Sequence, residues 1–412
     1  MKRLVSVLVG VLLIVTGAAG NGRLVRAAAG AAAKAQADRS NLPLPLKVVG
    51  NRILNSRNES VILRGVNCPS LEWTSDGQGH ILQNVNTAIR DWHANIIRLP
   101  LAQDRWFGKT RDQQDRGLAY RALVKEIVET CAAQSCYIIL DLHWSDCGEW
   151  GATIGQHSMP DRNSVTFWTD CASDFKNHPA VIFDLYNEPH NVPWNVWLNG
   201  GTITDRPNTR SGGPPKTFEA VGMQKLLDTV RATGAKNVVI AGGLNWAYDF
   251  SGILEGIQLF DREGNGVIYA NHAYDNKGES VDAWIAEMEK ATAAFPVIVS
   301  EVGGSGGPHR RLGRGGGSAR TTGDDWLLHV MQALQDHNWS WTAWSFHTSA
   351  RPTLISDWTY KPTPDFGVFV KQALAGTLPR YTPPAPTEPR RTASENPTNT
   401  TQAPQGPAPA AR

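Results

Sequence analysis

The sequence predicts an α/β fold, a (β/α)₈ TIM barrel forming a single catalytic domain, and three observations carry that prediction. Short apolar runs alternate along the chain with stretches of helical periodicity. The runs lack a strict polar–apolar alternation. Most of them are followed at once by a polar or charged residue. The expected strands are 61–66, 95–99, 137–142, 181–186, 237–241, 267–270, 297–300 and 340–344. They are rich in β-branched residues, as parallel strands buried on both faces are. Helical periodicity falls at 81–92, 118–133, 164–177, 218–233, 281–294 and 324–336, and only a short helical piece, 253–259, follows the fifth strand. Eight such units in this order describe a barrel. A doubly wound open sheet is the runner-up, but no glycine-rich phosphate loop follows the first strand. Ahead of the repeats, Lys47-Val48-Val49, a turn at Gly50-Asn51 and Ile53-Leu54 predict a hairpin placed to plug the barrel bottom.

The chain has 412 residues, with Lys+Arg 40 against Asp+Glu 38 and a net charge of +2. That balance points to neither a nucleic acid nor a membrane surface as partner. Met1-Lys2-Arg3 followed by the apolar stretch from Leu4 to Val15 reads as an export signal. The apolar core is shorter than the ~20 residues that span a bilayer. Residues 1–28 are therefore expected to be a signal peptide, with cleavage between Ala18 and Ala37, and the protein to be secreted, extracellular or periplasmic, with no membrane attachment afterwards. Residues 29–45 are expected to be disordered, 46–376 to form the domain, and 377–412 to be a Pro/Thr/Ala-rich disordered tail. The segment 303–323 is a Gly/Arg-rich loop, too long for a plain connection. A monomer is expected. The cysteines are Cys68, Cys131, Cys136, Cys147 and Cys171, an odd count in a chain read as exported. Cys147 and Cys171 flank one loop and its following helix, which makes them the first candidate for a bridge. The cysteine spacings do not resemble a zinc site, and neither a metal nor a cofactor is expected.

The strand tips carry the chemistry. In order they present Arg98; His143-Trp144 after Asp141-Leu142; Asn187-Glu188; His272-Ala273-Tyr274; Glu301; and Trp344. In a barrel these tips converge on one face. Two glutamates at such tips suit glycoside cleavage, one protonated and one charged, and a retaining enzyme needs them roughly 5 Å apart. Arg98 and Tyr274 are placed to keep Glu301 ionised as nucleophile. Glu188 is the candidate acid, raised by partial burial and neighbouring charge, with His272 as its partner. Asn187 suits the sugar 2-hydroxyl, His143 another hydroxyl, and Trp344 the floor beneath the ring. With 15 tryptophans in the chain, Trp73, Trp144, Trp150, Trp194, Trp197, Trp246 and Trp358 are further candidates for a sugar groove.

Over residues 46–376 the chain resembles glycoside hydrolase family 5, the cellulase family A enzymes. The resemblance rests on Leu63-Arg64-Gly65-Val66-Asn67, Ile97-Arg98-Leu99-Pro100, Asp141-Leu142-His143-Trp144, Tyr186-Asn187-Glu188-Pro189-His190, His272-Ala273-Tyr274, Ser300-Glu301 and Trp344. It implies retaining hydrolysis of a β-linked polysaccharide without a cofactor. Glu188 would be the acid/base and Glu301 the nucleophile. Arg98, His143, Asn187, His272, Tyr274 and Trp344 would support them. The chain departs from the family in the Arg-rich loop after Glu301 and in the sizeable loop from Ser145 to Ser164. Its tail carries no recognisable carbohydrate-binding module. The leading expectation is an endo-β-1,4-glucanase. A β-mannanase or another β-glycanase of the same family, a transglycosylase, and a non-catalytic sugar-binding barrel are the rivals.

Overall fold

Alternate positions along each apolar run must point to opposite faces of a strand, and this parity organises the molecule. The computed structural model describes residues 42–205, 215–277, 280–304, 323–364 and 366–382. Its strands are β1 (Leu46–Val49), β2 (Arg52–Asn55), β3 (Arg64–Asn67), β4 (Ile96–Ala102), β5 (Tyr137–Trp144), β6 (Val181–Asp184), β7 (Gly200–Asp205), β8 (Lys216–Val221), β9 (Val239–Gly242), β10 (Val267–Tyr274), β11 (Val297–Gly303) and β12 (Ser340–Ala343). Eight of them close into a parallel barrel in the order β3-β4-β5-β6-β9-β10-β11-β12, with β12 returning to pair with β3. All eight strands expected from the sequence are present.

The hairpin β1–β2 is antiparallel, as expected, and closes the bottom. Its Leu46 and Ile53 belong to one apolar cluster with Leu63, Ile96, Ile139, Ile182, Ile240, Ile268 and Ile298. These are the inward residues of the lower barrel. Two residues further along, the same faces turn polar. Ile96 gives way to Arg98, Ile139 to Asp141 and then His143, Ile182 to Asp184, and Leu63, past Gly65, to Asn67. The outward residues pack against the surrounding helices in a second, larger core.

Two expectations are corrected. The helix anticipated over 218–233 begins at Met223, and Lys216–Val221 is instead strand β8, paired antiparallel with β7. Residues 217–220 alternate exposed and buried, a period of two rather than 3.6. Gly222 makes the switch, since a Cβ there would lie 2.3 Å from the Leu198 carbonyl oxygen. Nor do Cys147 and Cys171 form a bridge, because all five cysteines are free and buried. Cys171 lies on the inner face of the helix Arg162–Asp174, in the core, while Cys147 faces His157 above the barrel. That helix starts on a capping box, with the Asp161 carboxylate accepting from the Asn163 and Ser164 amides and the Ser164 hydroxyl accepting from the Asp161 amide.

The expected signal segment, nearly all of 29–45, most of the 303–323 loop and the tail beyond 382 lie outside the described residues. Among the described residues no helix is long and apolar enough to cross a membrane.

Gly65 explains one quoted motif. A Cβ there would fall 1.7 Å from the Ile96 carbonyl oxygen, where β3 meets β4. Gly65→Ala is expected to cost about 3 kcal/mol, the upper end of ordinary overpacking. Denaturant unfolding measures this, and an unchanged midpoint would show that the two strands can part without penalty.

Candidate active site

At the centre of the upper barrel lies one fully buried guanidinium. Arg98 Nη1 donates to Glu301 Oε1 at 2.8 Å and to Asn67 Oδ1 at 3.1 Å. Its Nε donates to Asp184 Oδ2 at 3.0 Å, and its Nη2 to Asn187 Oδ1 at 2.7 Å. Nη2 also stands 3.1 Å from Asp141 Oδ2. Burial alone would discourage the arginine charge, but Asp141, Asp184 and Glu301 outweigh it and hold the proton more tightly than usual. Asp141 and Asp184 are each pushed up to about 7 by burial, against the pull of Arg98.

Two β-bulges aim the neighbouring side chains. On β11 the register against β10 shifts so that Asn271 faces Val299 while His272 faces Glu301, leaving Ser300 as the extra residue. Asn67 Nδ2 donates to the Ser300 carbonyl at 3.0 Å, and the Thr342 hydroxyl donates to the same oxygen, so the bulge is pinned. On β5 a second shift leaves His143 as the extra residue, with Leu101 opposite Leu142 and Ala102 opposite Trp144. His143 Nδ1 lies 2.6 Å from Asp141 Oδ2, and its ring stacks on Trp344 at 5.3 Å between centroids and 9° between planes. Burial pulls His143 down to about 4, so the neutral ring donates to Asp141.

The two glutamates occupy unlike surroundings. Glu301 is buried and accepts from Arg98 at Oε1 and from the Tyr274 hydroxyl at Oε2, a pattern that suits an acceptor-only carboxylate. Glu188 follows β6, and its side chain is 17 % exposed. Its Oε1 lies 2.8 Å from His272 Nδ1, and burial raises its pKa against the opposing influence of His143 and Lys277. Burial also pulls His272 down to about 3, and its Nε2 accepts from the Ser300 hydroxyl at 3.0 Å. One oxygen from each glutamate and one His272 nitrogen all lie within 4.8 Å of one another. That set could in principle hold a metal ion, but Arg98 and Tyr274 already donate to both oxygens of Glu301.

Every residue singled out from the sequence (Arg98, His143, Asn187, Glu188, His272, Tyr274, Glu301 and Trp344) therefore stands at the upper mouth. Several partners were not anticipated. Gln156, on the loop after β5, donates from Nε2 to Glu188 Oε2 at 3.2 Å and accepts from Asn187 Nδ2 at 2.9 Å. No spacing signal marks it. Asp184 did carry a signal, a charge inside an otherwise apolar run, and Arg98 answers it. Glu72, fully buried after β3, accepts from the Ser70 amide at 2.8 Å and is raised to about 8 by burial, with Asp141 and Glu301 adding to the effect.

The candidate groove tryptophans divide. Trp197 is core, donating its indole N–H to the Gly242 carbonyl at 2.9 Å, and Trp194 packs edge-on against it at 5.2 Å. Trp150 meets Phe107 edge-on at 5.3 Å. Trp73 and Trp358, on the loops after β3 and β12, both meet His347 edge-on, and Trp358 stacks on His80 at 4.0 Å. Trp246, after β9, stacks on His190 at 4.4 Å, with Lys277 Nζ 5.3 Å from its centre. By strand order these last two groups lie on opposite sides of the ring, flanking the glutamates.

A parallel barrel whose strand tips gather two unlike glutamates around a buried arginine defines a glycoside-hydrolase architecture. The chain belongs to glycosyl hydrolase family 5, the cellulase family, whose model matches residues 54–350. It is 25 % identical over 318 residues to endoglucanase MaCel5A of Microbulbifer sp. strain ALW1, covering 74 % of this chain and 52 % of that protein. It is 22 % identical over 267 residues to endoglucanase E-5 of Thermobifida fusca, covering 63 % of this chain and 48 % of the relative. The chain thus spans about half the length of these curated relatives. In fold it is similar to the β-glucanase SdGluc5_26A of Saccharophagus degradans, solved in complex with cellotetraose. The TM-score is 0.61 at 21 % identity, over 82 % of this chain and 95 % of that one.

Replacing Arg98 by Met would leave Asp141, Asp184 and Glu301 without their shared cation. Arg98→Met is expected to cost about 3–5 kcal/mol at neutral pH, the usual cost of breaking a buried ion pair. Both aspartates stand at about 7 in the fold against an ordinary value of about 4, so the stability their protonation gives is lost as pH rises from about 4 to about 7, and without the pull of Arg98 that loss continues above 7. Unfolding at pH 8.5 should accordingly show a larger deficit than at pH 5. Equal deficits at both would mean that the arginine acts by packing alone.

Proposed function

We propose that this chain is a retaining endo-β-1,4-glucanase working by double displacement on two glutamates. The observation that carries the reading is the pair Glu188 and Glu301, with oxygens within 4.8 Å and opposite environments. Retaining enzymes hold their carboxyl groups about 5 Å apart, whereas inverting enzymes leave room for a water between them. Glu301, fixed by Arg98 and Tyr274, is the nucleophile that attacks the anomeric carbon. Glu188, with its pKa raised and a face open to solvent, gives its proton to the departing glycosidic oxygen. It then takes a proton from the water that releases the glycosyl-enzyme. Asn187, aligned by Arg98, is the hydrogen-bonding partner of the sugar 2-hydroxyl. His143, kept neutral by burial and oriented by Asp141, meets a second hydroxyl. Trp344 floors the subsite, and Trp73, Trp358 and Trp246 serve flanking sugars. The endoglucanase relatives and the cellotetraose-bound structural neighbour support a β-glucan substrate. The basic start and apolar run of residues 1–15 support export. Recovery of the protein in the cytosolic fraction alone would overturn that part.

Glu301→Gln should fold normally and lose nearly all turnover, and a variant that keeps more than about a hundredth of the activity removes Glu301 from the nucleophile role. Glu188→Ala should slow natural glucans far more than substrates with activated aryl leaving groups, which need no proton. Equal losses on both would exclude it as the acid.

Reducing ends released in parallel from carboxymethyl cellulose, mixed-linkage β-glucan, β-mannan and xylan test the substrate. Preference for the two glucans is expected. Preference for mannan would keep the chemistry and transfer the chain to the mannanases, and glycosyl transfer products without net hydrolysis would mark a transglycosylase.

A further inference from the structure

A second constellation of metal-ligating side chains lies beside the site and takes no part in the chemistry above. Cys147 and His157, on the loop after β5, and Asp205, at the end of β7, are 4 %, 5 % and 3 % exposed. One ligand atom of each lies within 4.8 Å of the others. His157 Nδ1 is the hub, 3.1 Å from Cys147 Sγ and 2.7 Å from Asp205 Oδ2. The remaining atoms of these groups are already engaged. His157 Nε2 faces the Thr153 carbonyl, an acceptor, so that nitrogen carries a proton. Displacing a second proton from the ring would free the lone pair on Nδ1. The Ser158 hydroxyl donates to Asp205 Oδ1 at 2.5 Å, leaving Oδ2 turned towards the histidine. A cysteine sulfur, an imidazole nitrogen and a carboxylate oxygen thus converge on one point. Backbone and hydroxyl partners orient two of the three ligands, the pattern typical of metal-binding histidines and carboxylates.

We propose that Cys147 Sγ, His157 Nδ1 and Asp205 Oδ2 form a binding site for a divalent transition-metal ion of the zinc type. Mixed sulfur, nitrogen and oxygen ligands suit zinc, which bonds nitrogen near 2.0 Å and sulfur near 2.3 Å in tetrahedral geometry. Such a site needs about 3.5 Å between the sulfur and the nitrogen, so the ligands open by about half an ångström on loading. Unloaded, the same three atoms close around a second proton on the ring. Thiolate and carboxylate together cancel the charge of the ion, so burial is no obstacle. A solvent molecule completes the fourth position. The ligands come from two separate segments, so no compact sequence spacing announces the site.

The location gives the ion a task. Gln156, which touches both Glu188 and Asn187, is the residue before His157. The His157 carbonyl accepts from the Tyr186 hydroxyl at 2.9 Å, just ahead of Asn187 in the chain. Zinc here would staple the loop after β5 to the β7–β8 hairpin and hold Gln156 against the glutamate.

The test uses the full chain, stripped with a chelator and titrated with zinc, with bound metal and thermal midpoint as readouts. The expected result is one equivalent bound and a midpoint raised by about 4 °C at a hundredfold excess over Kd. Cobalt in place of zinc should give a thiolate-to-metal charge-transfer band. Cys147→Ser should abolish the band and weaken binding at least tenfold, and Asp205→Asn should weaken binding likewise, which decides the matter if the cysteine variant fails to fold. Glu301→Gln should bind as the parent does, separating this site from the glutamates. No bound metal in the parent protein, or undiminished binding in a folded Cys147→Ser or Asp205→Asn variant, would overturn the proposal.

Discussion

A single guanidinium, Arg98, fixes the positions of both glutamates. It bonds Glu301 directly and reaches Glu188 through Asn187, the preceding residue. Burying such a charge costs several kcal/mol unless it is fully paired. Here every side of the fork is answered, by Asp141, Asp184, Glu301, Asn67 and Asn187. The cluster cannot be relaxed one member at a time, because removing any partner leaves the others as unpaired buried groups. That mutual dependence makes the arrangement rigid, and a glycosidase needs rigidity at the point where charge develops.

The lower barrel supplies the foundation. Inward isoleucines of six strands pack with the hairpin residues Leu46 and Ile53 beneath the charged layer. The transition from isoleucine to charge takes two residues on β4 and on β6, one step of the strand period. The same strands therefore exclude water below and present polar groups above. The bulges at His143 and Ser300 then add one residue each, turning His143 towards Trp344 and Glu301 opposite His272. A regular strand would have placed Ser300 at that register, and the carboxylate would have faced the helices.

Much of this was legible in the sequence, and the reason is periodicity. Buried parallel strands need continuous apolar runs, so all eight strands could be read, and a polar residue ending such a run marks the mouth. What escaped was set by long-range contact. Lys216–Val221 alternates over only a few residues, too short to outweigh the helical pattern of Met223–Ala232 that follows it. Gln156 lies in a loop without periodicity, and only the folded chain brings it to Glu188. Chain proximity was equally misleading for Cys147 and Cys171, which the helix Arg162–Asp174 directs into different layers.

The division of labour proposed for the glutamates rests on what each neighbour can donate. Glu301 meets a permanent cation and a tyrosine hydroxyl. Glu188 meets a histidine that burial keeps neutral and the uncharged amide of Gln156. Neither partner of Glu188 brings a positive charge to oppose protonation, and both can hydrogen-bond it in either state, since the Gln156 amide donates to Oε2 throughout and the His272 ring can exchange its donor and acceptor nitrogens. A carboxyl so placed can lose its proton and regain it without its neighbours having to move, which is what acid and then base catalysis on successive steps demands. Glu301, with both oxygens accepting from fixed donors, is held in one position, which suits the nucleophile role proposed for it.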